Sequence, residues 1–119
     1  MGFDPRTMGK PVYEALQGLR SQPNQDNARL KEQKNQAVEL YTYLSTWGML
    51  RLKAEEEALS QEGKKQVVKA FFVCLQTISE QPKLTGNEGL QTLKDLSTDD
   101  YLGLTGLGLA IAQEFSFWA

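Results

Sequence analysis

The sequence predicts an all-α fold, a single bundle of four to six helices around one buried central helix at about residues 64–79. Three observations predict it. At helical pitch, Val67, Phe71, Cys74 and Ile78 fall on one line and Val68, Phe72 and Leu75 on the next, so apolar side chains cover most of the circumference. A helix of that kind belongs in the middle of a bundle, with a narrow polar seam through Lys65, Lys69 and Gln76 facing water. The flanking segments carry one-sided apolar faces of helical spacing, and no run pairs strand alternation with turn residues.

Residues 1–26 read as an N-terminal arm, with a short helix opening on Pro11 and running through Val12, Leu16 and Leu19 before Ser21-Gln22-Pro23-Asn24 breaks it. Residues 27–119 form the bundle domain. Asp26 or Asn27 caps the next helix, which places Leu30, Ala37, Leu40, Tyr41, Leu44 and Trp47 on one wide face. Gly48 interrupts it, and Met49, Leu50, Leu52 and Ala54 continue the pattern, either as one helix to about Leu59 or as two that meet at the glycine. Glu55-Glu56-Glu57 reads as a solvated acidic face, and Gly63 as the left-handed residue of the turn into the central helix. That helix ends near Ser79, because Pro82 cannot continue the ladder. Thr85-Gly86-Asn87 closes the loop, and Glu88 to Leu96 forms one short helix with Leu90, Leu93 and Leu96 inward. Ser97-Thr98-Asp99-Asp100 sets a serine cap three residues before an acid, so the last helix starts there and buries Leu104, Leu107, Ile111, Phe115 and Trp118. Gly103, Gly106, Gly108 and Ala110 lie deep in it. Each glycine costs about 0.8–1.0 kcal/mol against alanine, so the expected compensation is close backbone approach to a neighbouring helix, in this subunit or another.

With 119 residues, 40% hydrophobic and 24% charged, the chain suits one soluble globular domain. The single cysteine, Cys74, rules out an internal disulfide and reads as inert packing, which suits a reducing cytoplasm. No signal-like segment opens the chain, and Tyr101 to Gln113 is too short and glycine-rich to span a bilayer, so neither export nor insertion is expected. The net charge of −2 hides an asymmetry: residues 1–69 hold 11 of the 13 basic side chains against nine acids, and residues 70–119 hold two against six.

Histidine is absent, which removes the commonest general base, the imidazole metal ligands and every Ser-His or Cys-His arrangement. Glu55, Glu56, Glu57, Asp99 and Asp100 are sequence neighbours that point to different sides of a helix, not acids converging on a cleft. Gly106-Leu107-Gly108 lacks the third glycine, the preceding strand and the later acid of a dinucleotide site. The expectation is a protein that is not an enzyme, with no cofactor, no metal and no small-molecule substrate. What remains is basic. Arg29, Lys31 and Lys34 lie within two turns of one helix, Arg51 and Lys53 follow Gly48, and Lys64, Lys65 and Lys69 surround the exposed seam of the central helix. Folded onto one surface, they suit a phosphate backbone bound by charge and spacing without base reading.

The order of these segments carries a resemblance. A Tyr/Leu helix leading into Trp47-Gly48-Met49-Leu50, a hydrophobic helix bearing Lys64, Lys65 and Lys69, and a last segment Ser97-Thr98-Asp99-Asp100-Tyr101-Leu102-Gly103-Leu104-Thr105 running into Leu109-Ala110 and a terminal aromatic are similar, over residues 30–119, to the small subunit of CRISPR effector complexes, especially the type III kind. The resemblance implies a non-catalytic, cytoplasmic bundle that stacks in several copies within a ribonucleoprotein, beside the other effector subunits and against crRNA-paired target nucleic acid. Lys64, Lys65 and Lys69 would be the backbone contacts, with Arg29, Lys31, Lys34, Arg51 and Lys53 as further candidates. The alternative is a helical adaptor or oligomeric scaffold without a nucleic-acid role, in which Gly103, Gly106 and Ala110 with Trp118 form the partner surface.

Overall fold

The computed structural model describes residues 9–21, 27–56, 58–59 and 61–119. Within them the chain forms six α-helices and no strand: α1 (Gly9–Arg20), α2 (Asn27–Trp47), α3 (Met49–Glu56), α4 (Glu62–Ser79), α5 (Gly89–Asp95) and α6 (Thr98–Trp118), with a 3₁₀ turn at Gly86–Glu88 before α5. The all-α bundle is therefore what the sequence predicts, and α4 is its centre. Val67, Val68, Phe71, Phe72 and Leu75 are fully buried. Phe71 meets Phe72 edge-on at 5.1 Å between centroids and Phe115 of α6 at 6.1 Å. Each such ring contributes about 1.5–3 kcal/mol by leaving water. α1 is a docked helix whose Val12, Leu16 and Leu19 are buried against α4 and α6. The remainder of the expected arm, residues 1–8 and 22–26, lies outside the described residues, as does the Asp26 cap.

α2 runs antiparallel to α6. The Ser116 hydroxyl donates to the carbonyls of Ala37 and Val38 near the middle of α2, whereas the start of α6 meets the start of α3, where the Leu50 amide donates to the Tyr101 hydroxyl at 3.1 Å. That bond satisfies one of the free N–H groups in the first turn of α3. Gly48 separates α2 from α3 with a φ of 86°, which settles the open choice in favour of two helices. A Cβ there would have room, with Tyr101 Oη 3.8 Å away, so the penalty for a side chain comes from the backbone alone. Gly48→Ala is expected to lower the unfolding free energy in urea melts by about 1–2 kcal/mol.

Several local expectations are corrected. Gly63 is not in a turn; it is the second residue of α4 and is buried against α2. The left-handed residue near α4 is Glu80 at its C-terminal end, with φ 61°. Gln76 does not face water: its Oε1 accepts from the amides of Leu84 and Thr85 and ties down the α4–α5 loop. The wet seam of α4 passes instead through Lys69, Val73 and Thr77. On α2, Tyr41 and Trp47 are exposed, and Gln33 and Gln36 take inward positions beside Ala37, Leu40 and Leu44. The expected Glu88–Leu96 helix is a 3₁₀ turn followed by α5, of whose leucines only Leu93 is fully inside. Ser97 caps α6 as expected, accepting from the Asp100 amide at 3.1 Å.

Candidate nucleic-acid interface

The predicted cations fall into three groups, and only one group is assembled. Arg29, Lys31 and Lys34 belong to the first turns of α2, and Lys64, Lys65 and Lys69 to the first turns of α4. The two helix starts lie side by side because Gly63 has no side chain: a Cβ there would sit 2.7 Å from the Arg29 carbonyl oxygen and 2.7 Å from Glu32 Cβ. The Glu32 carboxylate accepts from the Gly63 amide at 3.0 Å, so an acid of α2 caps the positive end of α4. One turn deeper, Gln33 Nε2 donates to Gln66 Oε1 at 2.8 Å. Lys31 and Lys64 consequently line one groove together with Ala28, Asn35, Gln61 and the acid Glu32. The first turns of these two neighbouring helices therefore carry six of the predicted cations, together with the acids Glu32 and Glu62. Asp26 and Glu57 lie outside the described residues.

Arg51 is elsewhere. It stacks over the Trp47 ring at 4.1 Å and pairs with Glu55 at 3.4 Å. About 24 Å of helix separates Lys31 from Trp47 at a rise of about 1.5 Å per residue. Next to this group the Tyr43 hydroxyl is buried, and burial, reinforced by the Glu55 carboxylate, pushes its phenol up to about 12.

Lys53 is removed from the candidates altogether. Its ammonium is 2.8 Å from Glu56 Oε2 with both side chains only 2% exposed, and it lies 4.6 Å from the centre of the Phe72 ring. A side chain with no surface cannot reach a phosphate. The same pair corrects the reading of Glu55-Glu56-Glu57 as a solvated face: Glu56 is interior, Glu55 is half-buried, and Glu57 lies outside the described residues.

The glycine expectation on α6 divides. Gly108 is the close-approach residue, where a Cβ would sit 2.5 Å from Met49 Cε, with Leu44 and Phe71 next. Gly103 and Gly106 are exposed and meet nothing within 4 Å, so packing inside this subunit does not account for them. Ala110 is half-buried. Trp118 is not in the buried stripe; it is exposed at the end of α6, donates from Nε1 to Glu114, and meets Tyr13 edge-on at 5.1 Å.

No protein-family model, curated protein or solved structure matches this chain. Its candidate site rests on geometry alone. Cys74 stays out of it: the thiol is buried, and that burial pushes it up to about 11, far from the thiolate that chemistry would need. No helix among the described residues is long and apolar enough to cross a membrane. Two polar residues at this end of the bundle, Arg20 and Gln33, escaped sequence reading. The signal for Gln33 was present, since it and Gln36 interrupt an otherwise apolar stripe at inward spacing. Arg20 gave none, because what it faces is brought to it from the far end of the chain.

Proposed function

We propose that the chain is a non-catalytic helical subunit that holds the backbone of a nucleic acid across its cationic end, as the small subunit of a CRISPR interference complex, together with other effector subunits, crRNA-paired target and copies of itself. One observation carries the reading: cations some thirty residues apart in sequence, Lys31 on α2 and Lys64 on α4, face one groove at two adjoining helix starts. Such an end takes phosphate by charge and spacing and leaves the bases unread. A slightly acidic chain is compatible with this role, because tethering within an assembly raises the effective concentration of a weak site.

Replacing Lys64, Lys65 and Lys69 together by Glu tests it. Binding of a single strand should weaken steeply at low salt, and the slope of log K against log salt should fall by roughly 2, about 0.7 for each phosphate that is no longer neutralised. The helical circular dichroism should remain. Unchanged affinity and slope would remove these lysines from the interface.

A second reading, the adaptor or scaffold, is favoured by the outer face of α6. Leu102 is 61% exposed and Phe117 75% exposed. Between Asp100 and Glu114 the helix carries no charge, and Gly103 and Gly106 leave its surface flat. Gly106→Leu meets no obstacle in this subunit and should stabilise the helix by about 0.8–1.0 kcal/mol. If α6 packs on a partner copy, the same substitution abolishes self-association in sedimentation; a monomer–oligomer balance left untouched counts against this face.

A further inference from the structure

The outer face of α6 follows a heptad with an inner symmetry. Asp99, Gly103, Gly106, Ala110, Gln113 and Phe117 alternate at spacings of four and three residues, which keeps them on one line of the helix. Gly103 and Phe117 stand seven residues before and after Ala110. The first is bare backbone with nothing within 4 Å of a Cβ, and the second is the most exposed apolar side chain of the helix, at 75%. Beside this line, toward α2, a groove of about 430 Å³ opens between Val38, Tyr41 and Phe117. Leu102 lies on the same flank near the start of α6 and is 61% exposed. The two ends of α6 carry opposite charges. Asp99 and Asp100 are exposed at its start and pair with no cation among the described residues. At its finish, Arg20 donates to the backbone oxygens of Trp118 and Ala119 and pairs with no acid among the described residues.

We infer that α6 pairs with α6 of a second copy, antiparallel, about a two-fold axis that passes Ala110. The inference rests on the reading of α6 as a contact surface and adds the orientation and register of the partner. Rotation about that axis sets position 103 of one copy opposite position 117 of the other, so Phe117 fills the hollow left by Gly103 and Gly106, twice in each pair. Leu102, eight residues before Ala110, comes level with Trp118 on the α2 flank and enters the groove between Val38, Tyr41 and Phe117. The same rotation brings the start of each α6 to the finish of the other, where Asp99 and Asp100 meet Arg20. Helix axes pack about 8–10 Å apart according to the side chains between them, and glycine and alanine at the crossing favour the near limit. A parallel pair would set Phe117 against Phe117 and acid against acid. The antiparallel pair is self-complementary and closes as a dimer, and it accounts for two glycines that packing inside the subunit does not explain.

The test joins cysteine cross-linking to a charge swap, both on the full chain. Ala110→Cys places one thiol of each copy beside the axis, while Cys74 is buried and stays out of the reaction. Mild oxidation should join most of this variant into a disulfide-linked dimer, and Val73→Cys, on the exposed seam of α4, should stay unlinked. In sedimentation equilibrium, Arg20→Glu and Asp100→Arg should each weaken the native dimer by roughly tenfold, the scale of two exposed ion pairs. The double variant should restore it. If Arg20→Glu loosens α1, Asp100→Arg and the cysteine variant still decide the matter. Self-association without the cross-link at position 110 and without rescue by the double variant overturns the two-fold pairing; where Gly106→Leu still abolishes that association, α6 stands as a contact surface in another arrangement. A native chain that sediments as a monomer at every concentration overturns the pairing and the self-association of α6 together.

Discussion

Lys53→Met is expected to lower the unfolding free energy by about 3–5 kcal/mol, because it leaves the Glu56 carboxylate inside the protein without its ammonium. The partners are 2.8 Å apart and equally hidden, so neither charge can turn to water once the other is gone. Lys53 also supports its surroundings: its stem packs against Gly89 at the start of α5, where a Cβ would collide with both the lysine and the Leu84 carbonyl. The double variant Lys53→Met with Glu56→Leu should recover most of the loss, since replacing a buried pair by apolar residues of similar volume is often neutral or stabilising. Urea melts of the two singles and the double check this in one cycle. A single variant within about 0.5 kcal/mol of the native chain, the range of ordinary surface substitutions, would mean that the pair is wet. The cycle bears on the proposed phosphate reading too: under it, any nucleic-acid affinity should follow stability at Lys53, not charge.

Phe71→Ala is the second large effect, at about 3–5 kcal/mol. The ring is fully buried at the junction of α4 and α6, against Phe72, Phe115 and the bare backbone at Gly108. Its loss opens a cavity that three fixed neighbours cannot close. Two residues along the same helix, Val73 is 52% exposed, and Val73→Ala should change stability by less than about 0.5 kcal/mol. Thermal or urea unfolding of the two variants side by side reads the contrast. Comparable losses would mean that α4 has no wet seam.

The same two residues show how much of the fold can be read from the chain. The period of Val67, Phe71, Cys74 and Ile78 locates the central helix, and it does so because the helical repeat is a local property of the backbone. The Ser97 cap, the stop after Ser79 and the break at Gly48 are local in the same sense. What the period leaves open is which neighbour covers each flank. Helical pitch sets Val73 one turn after Lys69 and off the Phe71 line, but that Phe71 is covered by Phe115 and Gly108 is decided only when α6 packs on α4. Gln76 looks like Lys69, and becomes a tether for Leu84 and Thr85 only because the following loop folds back over it.

The candidate site was legible in its residue types and not in its membership. Eight cations were nominated by charge and spacing. The structure brings Lys31 and Lys64 to one groove, places Arg29, Lys34, Lys65 and Lys69 on the same two helix starts, leaves Arg51 stacked on Trp47, and takes Lys53 inside. Gly63, a turn residue to the eye, is what lets α2 and α4 begin side by side.

By itself, the sequence determined the helices and the identity of the central one, since hydrophobic period and capping act within a few residues; it left open whether Gly48 splits α2 from α3 and misplaced the left-handed residue at Gly63. Only the tertiary structure decided the fate of each charge and of each glycine on α6. Whether a lysine meets water, a carboxylate or a groove, and whether a missing Cβ is filled by Met49 or left open, depends on segments tens of residues away.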